Sequence, residues 1–464
     1  MKKQLDRTHI LDSMPVYKAI WTLAVPTMMA MLVQVIYNMT DTFFIGKLNE
    51  PNMVAAISIS MPVFMMIQGF GNIFAVGGAS LISRLLGKGD RAGASRAGAV
   101  AFWSAAVVCT AVSIAGLIFI EPILMTCGAS VNTIGFGKSY LSIMLAGSPV
   151  IGLSMALAGL LRSEGATREA MIGMVSGSLL NIVLDPIFIF PLKMDVAGAA
   201  IATIIGNVAG FLYSLSFYIR KRGIVSISWK NFRFDRMVYA EIFKIGIPAS
   251  IGMILTSTGF AVGNVFAAGF GDEVVAATGV AKRISNITVM LAMGMGQGCQ
   301  PLMGFSYGAQ KYNRLLETIK KAALGGTIMC TTFALLFHTF ADFWIKVFIN
   351  DPIVIELGAK IIRSFALSMP VLGIQMLLMS MFQALGKSMQ SLVITLGRQG
   401  LFYIPFLSIF SSLWGFNGFI RALPAADAAT TLLSTILFLF LRKELQARRP
   451  ETERTLALEV GRES

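Results

Sequence analysis

The stretch WTLAVPTMMAMLVQVIYNMTDTFFIG, residues 21–46, is apolar over most of its length and contains no Lys, Arg or Glu. A helix that crosses a bilayer needs about 20 mainly apolar residues, so this stretch is long enough to span a membrane. Within it Gln34, Tyr37, Asn38 and Asp41 fall at helical spacing and share one face. The stretch therefore predicts a spanning helix with a polar face that ends in a carboxylate.

The rest of the chain has the same apolar character. Of its 464 residues 55% are apolar and only 13% are charged, and the mean hydropathy is +0.73. A soluble domain carries about 25% charged residues, so the solvent of this chain is a bilayer. We predict an all-α integral membrane protein with twelve transmembrane helices, at 17–40, 53–77, 97–120, 139–161, 170–191, 197–219, 242–269, 279–305, 324–345, 361–384, 390–412 and 424–441.

The charges of the loops predict the orientation of the chain. Most of the 38 Lys and Arg residues fall on one side of the twelve-span arrangement, which the positive-inside rule assigns to the cytoplasm. Both termini are therefore expected to be cytoplasmic. The net charge of +14 lies beside apolar stretches and indicates no nucleic-acid partner. The four Cys and two His lack metal-ligand spacing, so we expect no metal site and no other cofactor. We also expect that the protein is not an enzyme.

Short segments recur at a nearly constant separation. Residues 24–26 (AVP) correspond to 246–248 (GIP), and residues 148–150 (SPV) correspond to 369–371 (MPV). The recurrence predicts two six-helix halves related by a pseudo-two-fold axis near the membrane normal, which is typical of transporters but also compatible with a duplicated scaffold. The predicted parts are an N-terminal six-helix lobe (1–222), a cytoplasmic linker (223–240), a C-terminal six-helix lobe (241–445) and a charged cytoplasmic tail (446–464).

Ionisable residues inside the spans are few. An Asp at the centre of a spanning helix costs about 2.5–3.5 kcal/mol on the insertion scale, so Asp41 and Asp185 need an explanation. Asn181 shares a helix face with Asp185, and Thr203 follows in the next span. Two close carboxylates tend to hold a proton or share a cation, which is the chemistry of ion coupling. The alternative is that Asn181 and Asp185 merely hold helices together.

The repeat offers an internal comparison for this polar group. The counterparts of Asp41, Asn181 and Asp185 in the second half are Gly263, Phe402 and Phe406, so the group exists in one half only. A purely structural group would be expected in both halves, and the asymmetry favours function. A further acid, Asp427, is interpreted as the dipole partner of a helix N-terminus.

The first helix also predicts a hinge and part of a substrate cavity. Pro26 removes a backbone hydrogen bond and permits a bend. Amphipathic cations are the expected ligands, because carboxylates would lie beside adaptable methionine surface. The cavity is predicted to include Gln34, Asn38, Gln68, Met31 and Met65.

Four stretches together resemble the multidrug and toxic compound extrusion (MATE) family, and most closely its DinF-like bacterial branch. They are QVIYNMTDTFFIG (34–46), LGKGD (86–90), LRSEGAT (161–167) and Asn181 to Pro186 followed by Gly198 to Thr203. The resemblance implies two six-helix lobes that open alternately to either side of a bacterial cytoplasmic membrane, and a monomer is expected. It implies a secondary active antiporter that exports organic, often cationic, compounds in exchange for H+ or Na+. The coupling residues, including a possible Na+ site, then fall in the N-lobe on Asp41, Asp185, Asn181 and Thr203, with Tyr37 nearby.

Two other functions remain open at this stage. A flippase of lipid-linked oligosaccharides or lipids from the same superfamily would be expected to carry a basic central cavity. An integral membrane lipid transferase would need Asp or His clustered at the membrane interface.

Overall fold

The computed structural model describes residues 2–47 and 50–463, and this part of the chain is helical almost throughout and contains no β-strand. Ser464, the last residue of the predicted tail, lies outside the described residues. The helices are α1 (Lys2–Asp12), α2 (Val16–Gly46), α3 (Pro51–Gly87), α4 (Arg91–Ile118), α5 (Ile120–Thr126), α6 (Ile134–Ala146), α7 (Ser148–Ser163), α8 (Thr167–Ile189), α9 (Asp195–Ile219), α10 (Arg236–Ala268), α11 (Asp272–Gly308), α12 (Tyr312–Thr339), α13 (Ala341–Lys346), α14 (Pro352–Ala366), α15 (Met369–Ala384), α16 (Ser388–Leu396) and α17 (Tyr403–Glu463), with a 3-10 turn at Trp229–Asn231 and a π-helix at Gly397–Phe402.

The count of spanning helices confirms the predicted fold. Within the described residues nine helical segments are long and apolar enough to cross a bilayer, and counting two bent helix pairs as one span each gives eleven. One of these segments, Ser388–Ala447, has 60 residues and would be about 90 Å long if it were straight. Gly415 interrupts it with a φ of 56°, so it supplies two spans and brings the total to twelve.

Two of the predicted spans are bent at a proline. The span predicted at 139–161 consists of α6 and α7, which meet at 47°, and the span predicted at 361–384 consists of α14 and α15, which meet at 51°. Pro149 and Pro370 stand in the first turn of α7 and α15, where a proline is compatible with a helix start but not with continuation from the preceding helix. The recurring segments SPV and MPV therefore mark the same bend in each half. Pro26 lies inside the continuous helix α2, and its role as a hinge stays a prediction.

The chain forms two compact units. The first contains Met1–Thr8, Leu23–Ile82 and Arg91–Thr258, and the second contains His9–Thr22, Ser83–Asp90 and Gly259–Ser464. The division falls inside α10, whereas the lobes predicted at 1–222 and 241–445 are defined by membrane spans, and their boundaries stay a prediction. Each unit has its own apolar core, around Tyr140 and Met144 in the first and around Phe337 and Leu407 in the second.

Glycines allow two helices of the first unit to approach backbone to backbone. A Cβ on Gly77 of α3 would lie 2.2 Å from the carbonyl oxygen of Ile242 on α10, and a Cβ on Gly246 would lie 2.1 Å from that of Ile73. No Cβ atom tolerates such distances. Small residues at helix contacts are the usual means of close packing inside a membrane.

Candidate functional site

The centre of the candidate site lies between α8 and α9 in the first unit. The two helices cross in close contact because Gly177 and Gly206 face one another: a Cβ on either would lie 2.5–2.6 Å from the other's carbonyl oxygen. One turn further along α8 the buried Asn181 amide donates to Asp185 Oδ1 and to Thr203 Oγ1, at 3.3 Å each. The glycine contact thus brings an amide, a carboxylate and a hydroxyl from two helices together.

Helix α2 adds the remaining predicted coupling residues. The Tyr37 hydroxyl lies 3.5 Å from Thr203 Oγ1. Asp41 follows one helical turn later on α2. Its carboxylate interacts electrostatically with the Asp185 carboxylate and with the Tyr37 phenol. The structure therefore brings together Asp41, Asp185, Asn181, Thr203 and Tyr37. Their role in ion coupling stays a prediction.

Two oxygens of this cluster have no hydrogen-bond partner within the part of the chain that the structure describes. They are Asn181 Oδ1 and Asp185 Oδ2, both fully buried. Buried polar atoms are almost always satisfied, so an acceptor pair left open is suited to a ligand. A proton on the carboxylate would satisfy it. Carboxylate, amide and hydroxyl oxygens are also the ligand atoms that a hard cation such as Na+ prefers.

Tyr140 also belongs to the site, although no pattern of residues pointed to it. It projects from α6, is 6% exposed, and its phenol interacts electrostatically with Asp41, Tyr37 and Asp185. No polar residue lies one turn away on α6 to form a stripe. Its neighbours come from other helices, and sequence spacing does not show such a contact.

The predicted cavity residues lie on α2 and α3. Gln34 donates to Asn38 Oδ1 at 3.3 Å, so the polar face of α2 continues away from Asp41. Met31 and Gln34 are half-buried, as are Met65 and Gln68 on α3, and Asn38 is exposed. Among the contacts of the described residues, none joins Met65 or Gln68 to the Asp185 cluster, and the cavity stays a prediction.

The interpretation of Asp427 as a helix N-terminal residue is wrong. Helix α17 resumes after Gly415, so Asp427 lies three turns inside it. Its carboxylate accepts from Arg398 Nε at 2.8 Å and from the Ser368 hydroxyl at 3.0 Å. Arg398 belongs to the π-helix, and the two residues form a buried ion pair in the second unit.

Known proteins resemble this chain over most of its length. The sequence model of the MatE family matches residues 26–187 and again residues 248–409. The two matches begin at Pro26 and Pro248 and confirm the internal repeat. The multidrug export protein MepA of Staphylococcus aureus (strain MRSA252) is 30% identical over 440 residues, covering 95% of this chain and 97% of the relative. The protein of the same name from Staphylococcus saprophyticus is 29% identical and covers 96% and 98%.

Solved structures agree with this relationship. An outward-facing multidrug resistance MATE family transporter of the MOP superfamily is 26% identical, with a TM-score of 0.91 over 95% of this chain and 98% of the other. A MATE protein in complex with MaL6 is also 26% identical, with a TM-score of 0.91. The repeat, the twelve spans and these matches confirm the resemblance to the MATE family. The chain is a multi-pass membrane protein that belongs to the MatE family.

Proposed function

We propose that this protein is a secondary active transporter that exports organic, often cationic, compounds in exchange for H+. The observation that carries the proposal is the cluster of the buried Asp185, Asn181 and Thr203 with the half-buried Asp41, in which two oxygens have no hydrogen-bond partner among the described residues. The names of the relatives, multidrug export proteins, support the class of cargo.

Asp41 is the principal proton acceptor in this proposal, and Asp185 and Asn181 tune it. When both carboxylates are charged they repel one another in a medium of low dielectric, where the charge interaction is strong. A proton on Asp41 removes the repulsion. The Asn181 amide and the hydroxyls of Thr203 and Tyr37 then exchange partners, because a protonated carboxyl donates as well as accepts.

The bend of α2 at Pro26 transmits this rearrangement to the cavity. Pro26 lies fifteen residues, about four turns, before Asp41 on the same helix. A proline leaves one backbone carbonyl free of its helical partner, so bending there costs little. A change in this bend alters the part of the cavity that Met31 and Gln34 of α2 are predicted to line. The altered cavity then releases the cargo.

Exchange requires that the ion and the cargo stabilise different states of the protein. A protonated Asp41 no longer attracts a cationic compound, so the cargo favours the charged carboxylate and the proton favours the empty cavity. Competition for one carboxylate couples the two movements. The same oxygens offer a site for Na+, which is the second candidate for the coupling ion.

The orientation follows from the loop charges. We infer that the protein acts in a bacterial cytoplasmic membrane, as a monomer, with both termini in the cytoplasm. A lipid flippase would call for a basic cavity. The Arg398 charge is neutralised by Asp427, so this residue does not supply one.

Inverted membrane vesicles test the proposal. An ethidium-like dye is supplied outside, and either a pH gradient or a Na+ gradient is imposed alone. We expect uptake driven by the pH gradient. Uptake driven only by the Na+ gradient would identify Na+ as the coupling ion instead of H+. Absence of uptake under both gradients, with the protein present in the membrane, would contradict the proposal.

A further inference from the structure

Helix α10 presents two glycines to a polar surface in the second unit. Gly259 and Gly263 are one turn apart and share a face. A Cβ on Gly259 would lie 2.5 Å from Gln399 Oε1, and a Cβ on Gly263 would lie 2.6 Å from the Tyr403 hydroxyl. The glycines keep this face of α10 free of side chains where an amide and a phenol meet it.

The ammonium group of Lys282 reaches the same place from α11. Lys282 Nζ would lie 3.1 Å from a Cβ on Gly263, so it and the Tyr403 hydroxyl converge on one point. It donates to Asn264 Oδ1 at 3.1 Å and lies 5.2 Å from the centre of the Phe260 ring.

None of the described residues neutralises the charge of Lys282. In the ranges that the structure describes, no carboxylate lies within ion-pair distance of Lys282 Nζ. Arg398, which precedes Tyr403 in the chain, is by contrast paired with Asp427. An ammonium has three donors, and Asn264 takes one. A half-buried cation with donors to spare is complementary to an anion, because pairing offsets the cost of removing the charge from water.

The location of this group reinforces the point. Gln399 belongs to the π-helix Gly397–Phe402, and Tyr403 follows it directly. Short π-helices inside α-helices occur frequently at functional sites. Gly263 is also the repeat counterpart of Asp41, so the position that carries a carboxylate in one half faces an ammonium in the other.

We propose that Lys282, Asn264, Tyr403 and Gln399 form a binding site for a carboxylate group of the exported compound. The inference rests on the proposed function and extends its substrate class from cations to zwitterions and organic acids. Lys282 supplies the charge, and the Tyr403 hydroxyl and the Asn264 and Gln399 amides supply hydrogen bonds. The two glycines allow Gln399 and Tyr403 to approach the backbone of α10.

A matched pair of dyes tests the site directly. A rhodamine with a free carboxylate and its methyl ester differ only in the anionic group, and the binding of each to purified protein in nanodiscs of zwitterionic lipid is measured by fluorescence anisotropy. We expect Lys282→Gln to weaken binding of the acid form about tenfold or more, the usual effect of losing a hydrogen bond to a charged group, and to change binding of the ester less than twofold. Lys282→Arg should retain binding of the acid form.

Two further variants exclude a general loss of structure. Gly263→Asp places a tethered carboxylate beside Lys282 and should abolish binding of the acid form while the ester still binds. Lys360→Gln removes an exposed lysine of the same unit, paired with Glu356, and should change neither dye. Three results would contradict the proposed site. They are an equal loss of binding of both dyes in Lys282→Gln, no loss of binding of either dye in that variant, and no binding of the acid form by the wild type.

Gradient-driven export, measured in parallel, separates this inference from the proposed function. If the wild type binds both dyes in the expected way but exports neither, the transport proposal fails and the binding site stands. If the ester is exported and binding of the acid form is indifferent to Lys282, the site fails and the transport proposal stands.

Discussion

Asp427 shows what a buried aspartate requires of its surroundings. Its carboxylate is 2% exposed and is held by Arg398 and Ser368. Two charges removed from water cost several kcal/mol each, and their attraction repays that cost only in a well-formed pair. Loss of either Arg398 or Asp427 is therefore expected to cost more stability than the intact pair contributes.

Removing one member of this pair is predicted to be severe. Asp427→Asn leaves the Arg398 charge buried without its partner and should lower the free energy of unfolding by about 3–5 kcal/mol. The measurement is thermal unfolding in detergent. Glu356→Gln, which breaks an exposed pair with Lys360, should leave the stability almost unchanged, because exposed ion pairs contribute little. Equal stability of Asp427→Asn and the wild type would show that the pair is not formed.

Glu164 is a second buried acid, at the end of α7 and outside the spanning segments. It is 0% exposed and accepts hydrogen bonds from the Tyr218 hydroxyl at 2.8 Å and from the backbone amides of Ile224 and Val225. Burial raises the pKa of Glu164 from 4.5 to about 7, although these hydrogen bonds and the charge of Arg7 act in the opposite direction.

The raised pKa predicts how stability depends on pH. Between pH 4.5 and about 7 the folded protein keeps a proton on Glu164 that the unfolded chain releases, so this residue's contribution is complete below pH 4.5 and declines as the pH rises through 7. Glu164→Gln mimics the neutral acid and should flatten that decline. Melting temperatures between pH 4 and about 8 measure it, with the exposed Glu317→Gln as control. A decline of the same slope in Glu164→Gln would assign the effect to other groups.

Spacing along one helix predicted part of the site, and contacts between helices were beyond its reach. Asn181 and Asp185 could be paired from the sequence because they lie one turn apart, and the structure joins them. Tyr140 approaches Asp41 from another helix, and Lys282 and Tyr403, about 120 residues apart in the chain, both approach Gly263. Asp427 was misplaced because the apolar stretch that predicts the twelfth span begins at 424, whereas the helix continues back to Gly415.

At the scale of elements, glycine contacts set the distance between helices. Gly77 and Gly246 place α3 and α10 of the first unit in backbone contact. The contact has no room for a methyl group, and the neighbouring atoms belong to the backbone, which cannot rotate away as a flexible side chain would.

A single methyl group at this contact is expected to be costly. Gly77→Ala should lower the free energy of unfolding by about 1–3 kcal/mol, the usual cost of overpacking. Gly135→Ala is the matched control, because a Cβ at Gly135 in α6 meets nothing within 4 Å. Thermal unfolding of the two variants is compared. If Gly77→Ala is as stable as Gly135→Ala, the two helices are further apart than the structure has them.

Apolar length predicted where spans occur but not how they are interrupted. Residues 139–161 read as one stretch, and the bend at Pro149 divides them. The π-helix at Gly397–Phe402 contains Arg398 and Gln399, which lower the local hydropathy, but a polar pair inside an apolar stretch does not distinguish a π-helix from an α-helix. Hydropathy reports the environment of a segment and is insensitive to the local path of its backbone.

At the scale of the whole molecule, the bias of Lys and Arg predicts the topology. Single cysteines are introduced at Lys138, predicted outside, and at Arg91, predicted inside, in a background without the four native cysteines. An impermeant thiol reagent added to whole cells should label position 138 and spare position 91. The reverse pattern would invert the assignment and place both termini outside.

The repeat is the feature of the whole chain that the sequence predicted best. Segments such as AVP and GIP identified it, and the family matches at 26–187 and 248–409 confirm it. The repeat also shows where the halves differ: the carboxylate of Asp41 has Gly263 as its counterpart. The proposed exchange depends on that difference.

The central claim is that Asp41 carries the coupling proton, and transport by Asp41→Asn tests it most directly. Asn has the shape of the neutral acid but cannot release a proton. Proteoliposomes with wild type, Asp41→Asn or the exposed control Glu317→Gln are loaded with an ethidium-like dye, and dye movement driven by a pH gradient is measured. The account predicts that Asp41→Asn folds and loses gradient-driven transport, while Glu317→Gln behaves as wild type. Normal gradient-driven transport by Asp41→Asn would contradict it.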